Sequence, residues 1–189
     1  MGKMLSEMSL EELWQLFPIL LKEHDAHWAQ WYAEEERLLR GFLPVGYIVR
    51  LSHIGSTAVS GLWAKPIVDI LAEAAPDSDF LALRQVIIQA GYGCMSEDGR
   101  RMSFHKGYTE NGFAEKVFHL HLRQSGDHDE LYFRDYLSCY PAVAKEYEKL
   151  KLDLWKQYEY NRDGYTEQKT AFVKKYTQEA KRIFPNRYE

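Results

Sequence analysis

The chain has 189 residues, of which 46% are hydrophobic and 28% are charged, and its formal net charge is −4. This balance is typical of a globular domain with a substantial core, and it excludes disordered, collagen-like and disulfide-scaffold proteins. The mild acidity argues against non-specific nucleic-acid binding, which depends on clustered basic charge. Cys94 and Cys139 have neither metal-site nor redox-motif spacing, so we expect two thiols in a reducing compartment.

No segment contains the roughly 18 apolar residues of a membrane-spanning helix. The N-terminus also lacks the pattern of a signal peptide, because Glu7, Glu11 and Glu12 are acidic where such a signal is basic. We therefore predict a cytoplasmic protein with no membrane partner.

Two helices are predicted before residue 42. Ser9 and Glu12 form a capping box, and apolar residues at helical spacing continue from it to Leu20. A second helix is expected over about residues 25–40, where aromatic and apolar side chains lie three or four apart and Gly41 provides a stop.

Strand and helix signals alternate in the middle of the chain. Strands are predicted over residues 45–50, 67–72, 92–95, 102–106 and 116–123, and an amphipathic helix over residues 79–90. In the last strand Val117, His119, His121 and Arg123 alternate with three apolar residues, so the two histidines project from the same face.

The remainder of the chain is predicted to be helical. One helix covers residues 131–138, the next begins at Pro141, and a last helix is capped by Thr166 after a loop at residues 161–164. The element order predicts one α+β domain over residues 1–189. Its parts are N-terminal helices at about 1–41, a mixed sheet with flanking helices at 42–126, and a C-terminal helical extension at 127–189.

The segment from His53 to Asp69 has the strongest chemical signal. A strand delivers the chain to Gly55, Ser56 and Thr57, where glycine permits close approach and free amides and hydroxyls at a helix start hold phosphate. Asp69 follows on an apolar strand, where a carboxylate is costly unless it is paired or bound to metal. The structural alternative is a capped turn with Asp69 paired to Lys65.

The sequence resembles the GrpB-like family in several motifs that occur in the right order. The run HIGSTAVSGLWAKPIVDIL at residues 53–71 resembles the family signature, although Ser60 replaces its usual proline. Residues 28–39, FHLHL at 118–122, FRDYL at 133–137, and Tyr165 with Thr166 and Lys169 resemble further family motifs. The resemblance implies the nucleotidyltransferase fold of DNA polymerase beta.

Members of that superfamily combine a Gly-Ser motif with two carboxylates one residue apart on a strand and a third on a neighbouring strand. By this resemblance Gly55-Ser56 and Asp69 match, but Leu71 occupies the position of the second carboxylate. Glu73 is too far along the strand to replace it. The strand that would supply the third carboxylate has His119 and His121 instead.

Asp69, His119 and His121 are therefore the candidate catalytic and metal-binding residues. The resemblance implies a divalent cofactor such as Mg²⁺ or Mn²⁺. Because imidazoles favour zinc, manganese, nickel or iron over magnesium, Zn²⁺ is a further candidate. Two alternatives remain open: a ligand-binding or acid–base role without metal, and histidines that are only hydrogen-bonded in a polar pocket.

Further polar residues are candidates for phosphate binding, each with a structural alternative. Lys65 and Arg123, together with Gly55, Ser56 and Thr57, are candidates for contacting phosphate. Arg134 is predicted either to line the cleft or to hold the helical extension in place through a buried ion pair with Asp135. The other candidate cleft residues are His53, Lys151, Tyr165 and Lys169.

The resemblance favours a divergent nucleotidyltransferase that moves a nucleoside monophosphate from an NTP to a small-molecule or protein acceptor. Two alternatives remain: a module that binds a nucleotide or phosphorylated metabolite without transfer, and a histidine-based metal phosphoester hydrolase. All three predict a small nucleotide or phosphorylated metabolite as the partner.

Overall fold

The computed structural model describes residues 3–188 of the chain. Within this range the helices are α1 (Leu10–Leu16), α2 (His27–Phe42), α3 (Phe80–Gln89), α4 (Asp129–Cys139), α5 (Pro141–Tyr158) and α6 (Arg162–Ile183). The strands are β1 (Ile48–Ile54), β2 (Val68–Ala74), β3 (Gly93–Asp98), β4 (Arg101–Thr109) and β5 (Gly112–Gln124). Among these residues no helix combines the length and the apolar character needed to cross a bilayer.

The five strands form one mixed sheet in the order β1-β2-β5-β4-β3. The central pair β2 and β5 is parallel, whereas every other neighbouring pair is antiparallel. The long crossover between β2 and β5 contains α3 and the hairpin of β3 and β4. This arrangement confirms the predicted α+β class, the flanking helices and the helical extension.

The two faces of the sheet differ in chemistry because side chains alternate along each strand. One face carries Val68, Ile70 and Leu120, which pack with residues of α2 and α3 into the main core. The opposite face carries Asp69 and His119, which lie directly across from each other on β2 and β5. The alternation predicted for β5 is confirmed, and it places the polar side chains on the face turned away from the main core.

Helix α2 is held against the sheet by both apolar and ionic contacts. Trp28 and Leu39 are each only 1% exposed in the main core. On the same helix the buried Glu35 accepts hydrogen bonds from Lys106 Nζ at 2.7 Å and from the Tyr92 hydroxyl at 2.9 Å. These bonds satisfy a carboxylate whose burial would otherwise be costly.

The first helix is shorter than predicted. It ends at Leu16, although the apolar spacing continues to Leu20. Pro18 explains the difference, because the residue before a proline disfavours the helical conformation. Phe17 and Ile19 are instead buried in an extended segment.

The first strand also differs from its predicted range. It begins at Ile48 rather than at residue 45, because Gly46 adopts a φ of +85° within a turn that residues 44–47 form. The Tyr47 amide closes this turn on the Pro44 carbonyl at 3.2 Å.

The predicted start of the last helix is wrong by one turn. Helix α6 begins at Arg162, and the Asn161 side chain caps it by accepting a hydrogen bond from the Gly164 amide at 2.9 Å. The segment predicted as a loop is therefore the first turn of the helix. Thr166 lies inside the helix, where its amide already has a backbone partner.

Replacing the two cap candidates tests this assignment. Asn161→Ala removes the capping oxygen and is expected to reduce the free energy of unfolding by about 1 kcal/mol, or about 2–4 °C in melting temperature. Thr166→Ala is the control and is expected to change stability by less than about 0.5 kcal/mol. Thermal unfolding measures both, and a larger loss for Thr166→Ala would contradict the assigned helix start.

Candidate functional site

A cleft of about 520 Å³ lies on the polar face of the sheet. The turn at Ser56–Ala58, β2 and β5 supply Ser56, Thr57, Asp69 and His119 to its lining. The helical extension adds Lys151, Tyr165 and Lys169, and Lys65 comes from the segment before β2. The cleft therefore brings together eight of the residues singled out from the sequence.

Asp69 meets two histidines on this face. Its Oδ1 lies 3.4 Å from His119 Nδ1 and 3.2 Å from His121 Nε2, and one ligand atom from each residue lies within 4.8 Å of the others. The sheet explains this convergence, because Asp69 is paired with His119 across the parallel strands and His121 is two residues further along β5. A cation among these three residues would have open coordination positions for a substrate.

Each histidine has an oxygen beside its other ring nitrogen. The Tyr108 hydroxyl lies 2.9 Å from His119 Nε2, and it also accepts a hydrogen bond from Arg162 at 2.9 Å. Ser103 Oγ lies 3.4 Å from His121 Nδ1. In the tautomer that donates to Asp69, the proton lies on the ring nitrogen that faces the carboxylate. In the other tautomer these oxygens can accept the ring N–H, and the nitrogen facing Asp69 can then bind a cation.

The donor set selects among cations. One carboxylate and two imidazoles fit Mn²⁺ or Zn²⁺, whereas Mg²⁺ takes oxygen ligands almost exclusively. The Mg²⁺ alternative predicted from the sequence is therefore not supported by these ligands.

Burial raises the pKa of Asp69, but hydrogen bonds from His119 and His121 outweigh this effect and lower it. Burial lowers the pKa of His119. Ionised aspartate and neutral histidine are the forms that bind metal.

Three lysines crowd the other side of the cleft. The ammonium groups of Lys65 and Lys169 lie 4.5 Å and 4.3 Å from the centre of the Tyr165 ring. Burial, reinforced by repulsion from Lys169 and Arg162, lowers the pKa of Lys65 well below its usual value. Burial lowers the pKa of Lys169 to about 8. Burial, and then repulsion from Lys169, lowers the pKa of Lys151 to about 7.

These lysines have no acidic partner. Among residues 3–188, none of Lys65, Lys151 and Lys169 forms an ion pair, although Asp69 and Asp163 also line the cleft. Clustered cations without counter-charge repel each other and bind protons weakly, and an anion between them would relieve both effects. The arrangement therefore has the electrostatics of an anion site.

The Gly55-Ser56 turn connects the two halves of the cleft. Gly55 has a φ of +70°, and a side chain there would collide with the Asp69 carboxylate. Lys151 donates a hydrogen bond to Ser56 Oγ at 3.0 Å and another to the Trp63 carbonyl. The sequence-based alternative of an Asp69–Lys65 pair does not form, because Asp69 faces the histidines and Lys65 lies on Tyr165.

Five predicted residues are not part of the cleft lining: Gly55 and His121, described above, and Arg123, Arg134 and His53. Arg123 is only 8% exposed and donates to the carbonyls of Met102 and Leu122 at 2.9 Å and 3.0 Å, because β5 carries it beyond the open part of the sheet. Arg134 donates to the His53 carbonyl at 2.9 Å and pairs with Asp135.

His53 supports the wall of the cleft. Its ring stacks on Tyr32 with centres 4.9 Å apart, and its Nε2 lies 2.9 Å from the Thr57 hydroxyl. Burial lowers the pKa of His53 to about 4, so the ring is neutral at physiological pH. His53 therefore contacts the Gly-Ser turn through Thr57 without lining the cleft itself.

Neither of the β2 positions considered for a second carboxylate, Leu71 and Glu73, opens into the cleft. Leu71 is fully buried and packs against Ile54 and Leu131. Glu73 is 2% exposed and is engaged by Arg50 at 3.0 Å and by His128 at 2.9 Å. Asp69 is therefore the one acidic residue of β2 that reaches the cation candidate site.

Arg162 and Thr166 also line the cleft, although Arg162 had no predicted role and Thr166 was predicted only as a helix cap and a family-motif residue. Arg162, Thr166 and Lys169 are spaced i, i+4 and i+7, so they share one face of α6. This signal was concealed because residues 161–164 were interpreted as a loop.

The buried Lys151 predicts a pH dependence of stability. Its folded-state pKa of about 7 lies below the ordinary lysine pKa of 10.5, so the unfolded chain binds more protons between these values and stability rises with pH across that range. Lys151→Met should therefore gain stability relative to wild type at low pH. That advantage should shrink by up to about 1.4 kcal/mol per pH unit between pH 7 and 9.

Urea unfolding at several pH values measures this difference. Lys149→Met on the same helix is the matched control, because Lys149 is exposed and pairs with Asp153. A stability difference between wild type and Lys151→Met that does not vary with pH would contradict the lowered pKa.

A five-stranded mixed sheet carrying an Asp/His₂ cluster and a lysine-lined cleft defines an α+β protein with a candidate cation and anion site. The model of one family, described as GrpB protein, matches residues 18–179. The glutamate-rich protein GrpB of Alkalihalophilus pseudofirmus is 32% identical over 162 residues, which cover 82% of this chain and 91% of that protein. The chain belongs to the GrpB family.

Solved structures resemble this chain to different degrees. The crystal structure of the conserved protein GrpB from Enterococcus faecalis aligns with a TM-score of 0.74 at 30% identity, over 87% of this chain and 99% of that one. A mutant Cid1 poly(U) polymerase bound to MgATP aligns with a TM-score of 0.46 at 12% identity, over 72% of this chain and 44% of that one. The Enterococcus structure confirms that the sheet and its helices form the fold of the GrpB family.

Proposed function

We propose that this protein is a metal-dependent nucleotidyltransferase that moves a nucleoside monophosphate from an NTP to a hydroxyl-bearing acceptor. One observation carries the proposal. Lysines without acidic partners line the same cleft as the Asp69/His119 pair and the Gly-Ser turn. A triphosphate fits both the lysine side and the Asp69/His119 side of the cleft, because it neutralises the lysines and offers oxygen ligands to a cation.

The residues of the cleft have distinct roles in this proposal. Lys65, Lys169 and Arg162 contact the phosphate oxygens, and Lys151 acts through Ser56, whose hydroxyl it holds at 3.0 Å. The lowered pKa values of the three lysines return toward normal once the anion binds, since the bound charge favours the protonated amines. The lysine group thus orients the triphosphate against β2.

Asp69, His119 and His121 would hold a divalent cation beside that phosphate chain. Such a cation neutralises charge that develops on the transferred phosphoryl group. Arg162 fixes Tyr108, and Tyr108 in turn fixes the His119 ring. The positioning of the cation ligands is therefore coupled to the anion side of the cleft through Arg162.

A second candidate function is nucleotide binding without transfer. The buried Leu71 and the engaged Glu73 favour it, because in-line transfer commonly uses two cations held by several carboxylates. The two functions share the binding step and differ in pyrophosphate release. A histidine-based phosphoester hydrolase would instead need the metal and no NTP.

The test combines binding and turnover. Wild-type protein is titrated with each of the four NTPs in the presence of Mn²⁺ or Zn²⁺, and its melting temperature and pyrophosphate release are measured with a mixture of candidate acceptors. At 100 times the dissociation constant, an NTP adds about 2.7 kcal/mol of stability. The double variant Lys65→Met/Lys169→Met should weaken NTP binding at least about tenfold, whereas Lys149→Met should not.

Each result decides between the candidate functions. Metal-dependent NTP binding with pyrophosphate release supports transfer, and binding without release supports the second candidate. Phosphoester hydrolysis with metal and without NTP binding would favour the hydrolase. The absence of any NTP shift at millimolar concentration contradicts both nucleotide-based functions.

A further inference from the structure

The cleft has an apolar side that phosphate binding does not use. Leu10 and Trp14 of α1 and Met95 of β3 line it together with the lysines. Leu10 is 55% exposed and Met95 is 48% exposed, and α1 has no buried residue. Apolar groups that line a charged cleft without burying each other are available to the apolar part of a ligand.

Trp14 is the aromatic group on this side, and its ring has no partner. Among residues 3–188 its indole makes no aromatic stacking contact, no cation–π contact and no side-chain hydrogen bond, and it is half-buried. The other tryptophans on the N-terminal side are engaged, since Trp28 packs in the main core and Trp31 lies under Lys116. A partly exposed indole in a ligand-sized cleft can stack on the aromatic ring of a ligand.

The chain immediately after α1 anchors this tryptophan. Phe17 is 2% exposed and its ring lies 4.7 Å from Tyr108 and 5.1 Å from Phe113. The Ile19 amide then donates to the Glu159 carbonyl at 2.8 Å. These contacts hold the end of α1 beside the cleft, close to the Tyr108 that supports His119.

We infer that Trp14 stacks on the base of the nucleotide whose phosphates the lysines bind, an inference that rests on the proposed function. A nucleoside triphosphate combines a polyanionic chain with an aromatic ring, and the cleft offers lysines for the first and Trp14 for the second. Leu10 and Met95 present no hydrogen-bonding group to the edge of a base. The subsite therefore selects for an aromatic base and discriminates little among bases.

The experiment compares ATP with inorganic tripolyphosphate, which has the phosphates but lacks the base. Dissociation constants for both are measured calorimetrically with Mn²⁺ for wild type, Trp14→Ala, Trp14→Phe and Tyr160→Ala. Tyr160 is the matched control, because it is an exposed aromatic residue that shares the neighbouring groove with Trp14 but does not line the cleft. Melting temperatures without ligand check that each variant is folded.

Trp14→Ala is expected to weaken ATP binding about 5- to 100-fold and to leave tripolyphosphate binding unchanged. Trp14→Phe should retain most of the affinity, and Tyr160→Ala should match wild type. Equal ATP affinity in wild type and Trp14→Ala would overturn the inference while leaving the proposed function intact. Equal weakening of both ligands would also overturn it, because Trp14 would then shape the phosphate site. If wild type binds neither ligand, the proposed function fails, and the inference fails with it.

Discussion

Gly55→Ala is expected to destabilise the protein by about 2–5 kcal/mol and to weaken binding of Mn²⁺ or Zn²⁺. A left-handed backbone costs an alanine about 1–2 kcal/mol, and Gly55 has a φ of +70°. The new methyl group would also collide with the Asp69 carboxylate and displace it from the two histidines. Losing those hydrogen bonds costs about a further 1–3 kcal/mol.

Gly61→Ala separates these two contributions. Gly61 has nearly the same φ, +72°, but a side chain there would meet no atom within 4 Å. It should lose only the backbone contribution of about 1–2 kcal/mol and keep full metal affinity. Urea unfolding and metal titration of both variants measure the difference. Equal destabilisation by the two substitutions would show that the contact between Gly55 and Asp69 has no energetic importance.

Asp69→Asn is expected to weaken Zn²⁺ or Mn²⁺ binding by at least about 100-fold. Asparagine keeps the size of the side chain but removes the charge, and two neutral imidazoles then have to hold the cation without an anionic ligand. The loss should exceed that of an outer residue such as Tyr108, for which about 10- to 100-fold is typical. Competition with a chromophoric chelator measures the metal affinity of Asp69→Asn and that of a variant at Tyr108.

Asp163→Asn is the matched control for this measurement. Asp163 lines the same cleft and undergoes the same chemical change, but it does not belong to the Asp/His₂ cluster. Its metal affinity should equal that of wild type. Equal losses in the two variants would mean that the cleft attracts cations only through its overall charge, and the assigned ligands would be wrong.

Local patterns were sufficient to predict the floor of the candidate site. Alternation along β5 placed His119 and His121 on one face, because successive strand residues point to opposite sides. The run from His53 to Asp69 predicted a helix start at the Gly-Ser motif followed by a buried strand. The strand is present, and the helix start is a 3₁₀ helix of three residues, Ser56–Ala58. These inferences depend on residues close together in sequence, whose relative positions the backbone geometry defines.

Burial by packing could not be predicted from local patterns. Arg123 shares the parity of the two histidines, yet it is only 8% exposed, and its guanidinium donates to two backbone carbonyls and lies 3.4 Å from His121 Nδ1. The alternation of side chains along a strand predicts the face of the sheet to which a side chain points. It does not predict whether a packed helix or neighbouring strand buries that side chain. Leu71 and Glu73 illustrate the same point, since both share the face of Asp69 and both are buried.

The amino-acid sequence alone thus defines the α+β class, the GrpB family signature and the three polar residues of the sheet that face one another. The tertiary structure decides what surrounds them. It places β5 beside β2 after a long crossover, and it brings Arg162 and Trp14 to the cleft from opposite ends of the chain. No local pattern encodes those positions, because they result from how helices and connecting segments bury their apolar surfaces against the sheet.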